Sequence, residues 1–261
     1  MRNFLVLMCV LSCCTNVLAQ KILSLKPFIG RQTPICRFDK NFPAPDGLSV
    51  KPLRMEWSPG ILLALKLNSN WTVQSGIAMG WTGWHLKDKK SDANFSDRPD
   101  GLSAFHQTNQ VQLLVQRRIT TVNTLNISPG RDNYLLNFDL YLTAGLIYSI
   151  IPRYGSQADS TIFKRYMHNG KPESNFSYHK FLHRHSNSIY IGLGTQFYSR
   201  NNARFDLTLY YSQGLTDVME IEVDYRQNDD RYKAKLRTRG SVFGATLAYP
   251  IRLKTFERKS V

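Results

Sequence analysis

Leu135–Ile151 reads LLNFDLYLTAGLIYSII. Taking every second residue separates Leu136, Phe138, Leu140, Leu142, Ala144, Leu146, Tyr148 and Ile150 from Asn137, Asp139, Tyr141, Thr143, Gly145, Ile147 and Ser149. Side chains of a β-strand alternate between faces with period 2. The stretch is therefore a strand with one apolar face and one largely polar face. It is also longer than the ~3–10 residues of most globular strands, while a membrane-crossing strand needs about 9–11. The reading predicts that Leu136, Phe138, Leu140 and Leu142 face lipid and that Asn137 and Asp139 face an interior.

The same alternation recurs along the chain. Strands are predicted at Lys21–Gly30, Pro52–Leu67, from Trp71 to about Gly83, Gln107–Thr120, Ser188–Tyr198, from Ala203 to about Ser212 and Thr238–Leu253, which with Leu135–Ile151 makes eight. The connections alternate in length. Long, polar loops are expected at about 31–51, 86–106, 152–187 and 214–237, with Glu220–Arg226 in the last alternating as an outward extension of the strands, and shorter turns follow the second, fourth and sixth strands. Antiparallel neighbours put alternate connections at opposite ends, so the long loops share one end and the turns the other. An even number of antiparallel strands with this asymmetry describes an eight-stranded antiparallel up-and-down transmembrane β-barrel, closed so that no edge meets lipid.

A soluble lipocalin-like barrel that binds an apolar ligand would alternate too, but with its apolar face inward. The polar faces here carry Arg54, Glu56, Gln112, Arg118, Asp139, Arg204, Asp206 and Arg252, both signs together with amides. Buried charges are normally paired, and the expectation is that the carboxylates neutralise the four arginines in a structural network. The apolar faces carry Trp57, Trp71, Trp81, Tyr148, Tyr211 and Tyr249 near strand ends, as interfacial girdles require. Both features favour the membrane barrel.

The first 19 residues read as a cleaved secretory signal peptide: basic Arg2, the apolar run Phe4–Leu11 and the small-residue site Val17-Leu18-Ala19 before Gln20. Residues 20–261 then form a single barrel domain. A lipoprotein alternative at Cys13 or Cys14 has a poor surrounding motif. Cleavage leaves Cys36 alone, so no intramolecular disulfide can form. The formal charge is +15, and cleavage removes only Arg2. Such an excess points to an anionic partner. Export disfavours nucleic acid and favours outer-membrane lipid, lipopolysaccharide phosphates or a partner protein of the envelope.

The exported chain, its eight alternating strands and its inward-facing glycines (Gly76, Gly80, Gly145, Gly192, Gly194, Gly244) resemble the small outer-membrane barrels of Gram-negative bacteria. The resemblance is to the "outer membrane protein beta-barrel domain" proteins of Bacteroidota, a group similar to PorT. It implies a cell outer-membrane location, and the function expected of such a chain is a non-enzymatic barrel whose basic loops contact an anionic or protein partner, for example in an envelope or secretion assembly. It covers the whole exported chain and rests on pattern rather than on a motif.

Eight strands leave an interior that side chains fill, so a wide pore is not expected and function belongs to the loops or the interior network. The loop at 152–187 holds His168, His179, His183 and His185. Because His185 adjoins Ser186, a base and a nucleophile of a lipid A-modifying enzyme are conceivable there. Sequence adjacency sets no geometry, and no orienting acid is evident. His179, His183 and His185, spaced four and two, fit a metal-ligand cluster only as well as chance does. No cofactor or metal is assigned.

Overall fold

The computed structural model describes residues 21–38, 48–50, 55–88, 102–126, 135–152, 159–168, 171–199, 202–227 and 230–256. Its strands are β1 (Lys21–Phe38), β2 (Leu48–Val50), β3 (Glu56–Trp57), β4 (Gly60–Lys66), β5 (Trp71–Asp88), β6 (Leu102–Asn126) and β7 (Leu135–Ile150). They continue with β8 (Asp159–His168), β9 (Lys171–Phe181), β10 (His185–Ser199), β11 (Asn202–Gly214), β12 (Met219–Gln227), β13 (Asp230–Ala248) and β14 (Ile251–Phe256).

Eight of them form a ring. The antiparallel order β1-β4-β5-β6-β7-β10-β11-β13 is closed by β13 pairing with β1, with Phe28 opposite Ala248 and Gly30 opposite Thr246. β14 continues β13 past Tyr249-Pro250 along the lower part of β1, where Leu25 faces Ile251. β3 continues β4 upward past Pro59 and pairs with Arg31 and Gln32 of β1. Proline has no N–H for the ladder, so these breaks fall where the chain bulges. The turn at Asn68–Asn70 is closed by the Asn68 side chain, which accepts from the N–H groups of Asn70 and Trp71.

The wall is apolar on the outside. Ile77 is 61% exposed, Leu146 57%, Leu193 56% and Leu209 54%. On β7 the outward Leu142, Leu146, Tyr148 and Ile150 are exposed while Asp139, Tyr141, Thr143, Ile147 and Ser149 are buried, the division that period 2 assigns. A soluble barrel has the opposite polarity. The fold is an eight-stranded antiparallel up-and-down barrel of the transmembrane type.

Two aromatic levels bound the belt. Trp71 and Trp81 both point outward from β5. The stretch between them rises about 33 Å at ~3.3 Å per residue, or about 25 Å along the axis at a strand tilt of ~40°. That matches the ~25 Å apolar band of outer-membrane barrels. Arg117 sits over the Trp71 ring at 5.4 Å and Arg31 over the Trp57 ring at 4.3 Å, so each level also holds a cation.

The segments expected as loops are largely strand. β1 runs to Phe38 rather than ending at Gly30, and Leu48–Val50 pairs with Leu86–Asp88 of β5. β6 starts at Leu102 and reaches Asn126, with register shifts between Arg118 and Thr120 and again between Asn123 and Asn126. In place of the loop at 152–187 stand β8, β9 and the start of β10, and in place of 214–237 stand β12 and the lower-numbered half of β13. β13, β12, β9 and β8 join edge to edge in that order as a sheet rising above the long-connection end of the barrel. In β12 and β13 the alternation persists, with Met219, Ile221, Ala234 and Leu236 buried and Glu222 and Lys233 exposed, so the sheet has an apolar inner face although it stands outside lipid. The expected signal peptide, with Cys13 and Cys14, lies outside the described residues.

Candidate functional site

The lumen is the place where this wall brings chemistry together. In its turn half, Lys26 of β1 donates to Asp206 of β11 at 2.6 Å, and both side chains are almost fully buried. The second Asp206 oxygen accepts from the Gln196 amide at 2.6 Å, and Gln196 in turn accepts from the Tyr198 hydroxyl. Beside this chain, Asp139 accepts from the Thr121 hydroxyl and lies 3.6 Å from the Arg118 guanidinium, which also donates to Asn70 Oδ1 at 3.1 Å.

The middle is filled by tyrosines. Tyr141 and Thr208 share a hydrogen bond of 2.7 Å, and Tyr190 stacks on Tyr210 at 5.0 Å. Glycine makes this packing possible. A Cβ on Gly194 would stand 2.6 Å from the Tyr141 ring, and one on Gly244 would stand 2.6 Å from the Tyr210 ring. Gln74 donates to Gln116, and Gln112 donates to Gln110 at 3.4 Å. A cavity of about 40 Å³ remains between Lys26, Tyr141 and Asp206, room for about three waters.

The long-connection end is closed by different material. Trp84, Met219, Ile221 and Leu236 are wholly buried, with Val218 beside Met219. The Tyr210 hydroxyl donates up to Gln32 at 3.1 Å, and His106 meets Phe181 edge-on at 4.8 Å. On the upper sheet, Lys235 holds Glu220 at 2.7 Å, and Asp217 accepts from Arg239 at 2.8 Å and approaches Arg237 at 3.5 Å. The Glu220 hydrogen bond keeps the Lys235 ammonium above its usual range.

The candidate residues distribute unevenly over this frame. Gln112, Arg118, Asp139 and Asp206 sit inside, and Arg118 faces Asp139 as charge pairing requires. The partner of Asp206 is Lys26, which alternates with Leu23 and Leu25 and so stands on the polar face of Lys21–Gly30. Arg252 is exposed in the turn-end mouth and is not a buried partner of a carboxylate. Glu56 is half-buried on the inner side of β3 near the other end. Arg54 and the Arg204 side chain lie outside the described residues.

His185 and Ser186 do not converge. They are consecutive on β10, so His185 is exposed on the outer face and Ser186 is buried on the inner one. The His185 Nδ1 is 2.9 Å from the Tyr148 hydroxyl, with the two rings stacked. His183 is exposed, and the side chains of His168 and His179 lie outside the described residues. Among the described residues no three His, Cys, Asp or Glu side chains gather as metal ligands would.

No family model matches the chain, nor does any curated protein sequence. Solved structures do share its outline. The outer membrane protein OprG from Pseudomonas aeruginosa is similar at 12% identity and a TM-score of 0.41, over 90% of this chain and 97% of OprG. The outer membrane protein AlkL, solved in DMPC bilayers, is similar at 11% identity and 0.35, over 92% of this chain and 93% of AlkL. Ail of Yersinia pestis, bound to the heparin analogue sucrose octasulfate, is similar at 14% identity and 0.31, over 90% of this chain and all of Ail. At these scores no residue role passes from them to this chain, and the barrel rests on its own ring of pairings and the polarity of its wall.

Proposed function

We propose that this chain is a non-enzymatic outer-membrane barrel that acts through its long-connection end, where a basic sheet meets an anionic envelope component or a partner protein. The observation that carries the reading is the upper sheet. The wall strand β13 extends upward into it, so the barrel serves as a rigid mount for a surface held clear of the membrane. Residues 230–239, DRYKAKLRTR, bring five cations against one acid. Some are held by Glu220 and Asp217, while Lys233 is exposed. Arg31 over Trp57 adds a cation at the girdle on the same side, suited to a lipid phosphate such as those of lipopolysaccharide. The pattern-level resemblance to PorT-like barrels of Bacteroidota motivates the envelope or secretion setting. Export by a cleaved signal and location in the outer membrane belong to the same reading.

The test has two stages. The full chain should migrate faster on a gel without boiling than with it, and Leu140→Arg should block assembly, since arginine on the lipid face costs about 2–4 kcal/mol near the midplane. Extraction into detergent-free buffer with migration unchanged by boiling overturns the membrane reading. Replacing Lys233, Lys235 and Arg237 together by Gln should then leave the heat-modifiable barrel intact and abolish its binding to lipopolysaccharide. Undiminished binding overturns the role of the sheet.

A further inference from the structure

Among the described residues, four cations enter the turn half of the lumen, and two carboxylates meet them. Strand parity points Lys26, Lys66, Arg118 and Arg252 inward, alongside Asp139 and Asp206. The carboxylates are already committed. Asp206 is held by Lys26 at 2.6 Å and by Gln196. Asp139 gives one oxygen to Thr121 and meets Arg118 only at 3.6 Å. Arg118 turns another nitrogen to the neutral Asn70 side chain. Lys66, the half-buried last residue of β4, pairs with Ile22 of β1 and Thr72 of β5, which places it between Arg252, opposite Ser24 of β1, and Arg118 of β6, with Asp139 the described carboxylate that acts on it.

Like charges do not gather in a half-buried mouth without cost. Low-dielectric walls strengthen their repulsion and focus the field outward, and a counter-ion in the middle relieves it. The mouth is open to receive one. Arg252 is exposed at its rim and Lys66 and Arg118 are half-buried, so solvent reaches all three side chains. We propose that this turn-end mouth is a binding site for a phosphate-class oxyanion, held by Lys66, Arg118 and Arg252. Arginine presents a planar fork that matches two oxygens of a tetrahedral anion, and lysine supplies a point charge for a third. The anion comes either from solution or from the headgroup of an inner-leaflet lipid bending over the Trp71 rim. The site is at the opposite end from the sheet discussed above and stands independently of it.

The experiment uses the full exported chain folded in zwitterionic detergent. The midpoint of heat-induced loss of the fast-migrating form is measured against inorganic phosphate, and against sodium chloride at equal ionic strength. Short-chain phosphatidylglycerol mixed into the micelle is the second probe. Phosphate should raise the midpoint beyond chloride, and the Lys66→Gln/Arg252→Gln double variant should bind at least tenfold more weakly. Lys233→Gln, on the far sheet, should bind as the parent does. Without anion, Lys66→Gln should be as stable as the parent or more so, because it removes a repelled charge. A response to inorganic phosphate assigns a soluble ion, and one confined to phosphatidylglycerol assigns a lipid headgroup. If the double variant does not fold, Lys66→Arg should keep the phosphate increment. Two results overturn the site: no increment over chloride with either probe in the parent chain, or an increment that survives the double substitution unchanged.

Discussion

In the turn half of the lumen, Lys26 and Asp206 meet at 2.6 Å, with Gln196, Tyr198, Arg118 and Asp139 around them. At the long-connection end, Met219, Ile221, Leu236 and Trp84 fill the same cross-section with carbon. The first arrangement needs the closed ring, because Lys26 and Asp206 lie on β1 and β11, joined only through β13. The second draws heavily on the β12–β13 hairpin. The wall and its cap are therefore stabilised by different forces, and damage to one need not spread to the other.

The strongest test of that separation is Asp206→Ala. It leaves Lys26 buried without its counter-charge and Gln196 without its acceptor, a loss of about 3–5 kcal/mol. In urea titrations followed by the heat-modifiable band, the whole barrel should fail earlier. Replacing both partners, Lys26→Met with Asp206→Leu, should recover most of that loss, because a buried ion pair is often no better than well-packed apolar side chains. Met219→Ala should cost about 2–5 kcal/mol by the usual measure of a buried methionine. Here the loss should stay local: hydrogen exchange should quicken in β12 and in the part of β13 paired with it, while the barrel midpoint holds. A barrel midpoint that falls in step would break the separation. Lys235→Met should have the smallest effect, below about 1 kcal/mol. The Lys235 pKa is raised in the folded sheet by Glu220, so the stabilisation is fully present below the ordinary lysine value of 10.5 and is lost as the pH rises through the higher folded value. Parent and variant should differ at neutral pH and converge in strong alkali.

The barrel was legible because lipid imposes a rule on every second residue. Leu142, Leu146 and Ile150 of β7 meet it outside, and Asp139, Tyr141 and Thr143 fill the inside. Alternation names the face of a residue and stops there. It put Lys26 and Asp206 inside, yet their meeting across 180 positions of sequence depends on the shear of the closed ring, which no local pattern carries. The same rule, applied one residue at a time, separates His185 from Ser186, so the adjacency that drew attention to them is what parts them. The upper sheet was only partly legible for a different reason. Its strands keep the period, with Ile221 and Val223 against Glu220, Glu222 and Asp224, and Ala234 and Leu236 against Lys233, Lys235 and Arg237, but the apolar set is sparse and the charges between it read as a polar connection.

The pairing of β1 with β13 carries a consequence in time. The barrel's first strand finds its second neighbour in nearly the last segment of the chain, Phe28 against Ala248. Contacts this distant in sequence form slowly, since a long loop must close before they reward the chain. Until then β1 and β13 each present an unpaired edge and a row of outward-pointing leucine, isoleucine and phenylalanine to water, a state prone to aggregate. A chain emerging from its amino end must therefore be kept apart from its own kind until the last strand arrives, and truncation before β13 should give a sticky, open sheet rather than a smaller barrel.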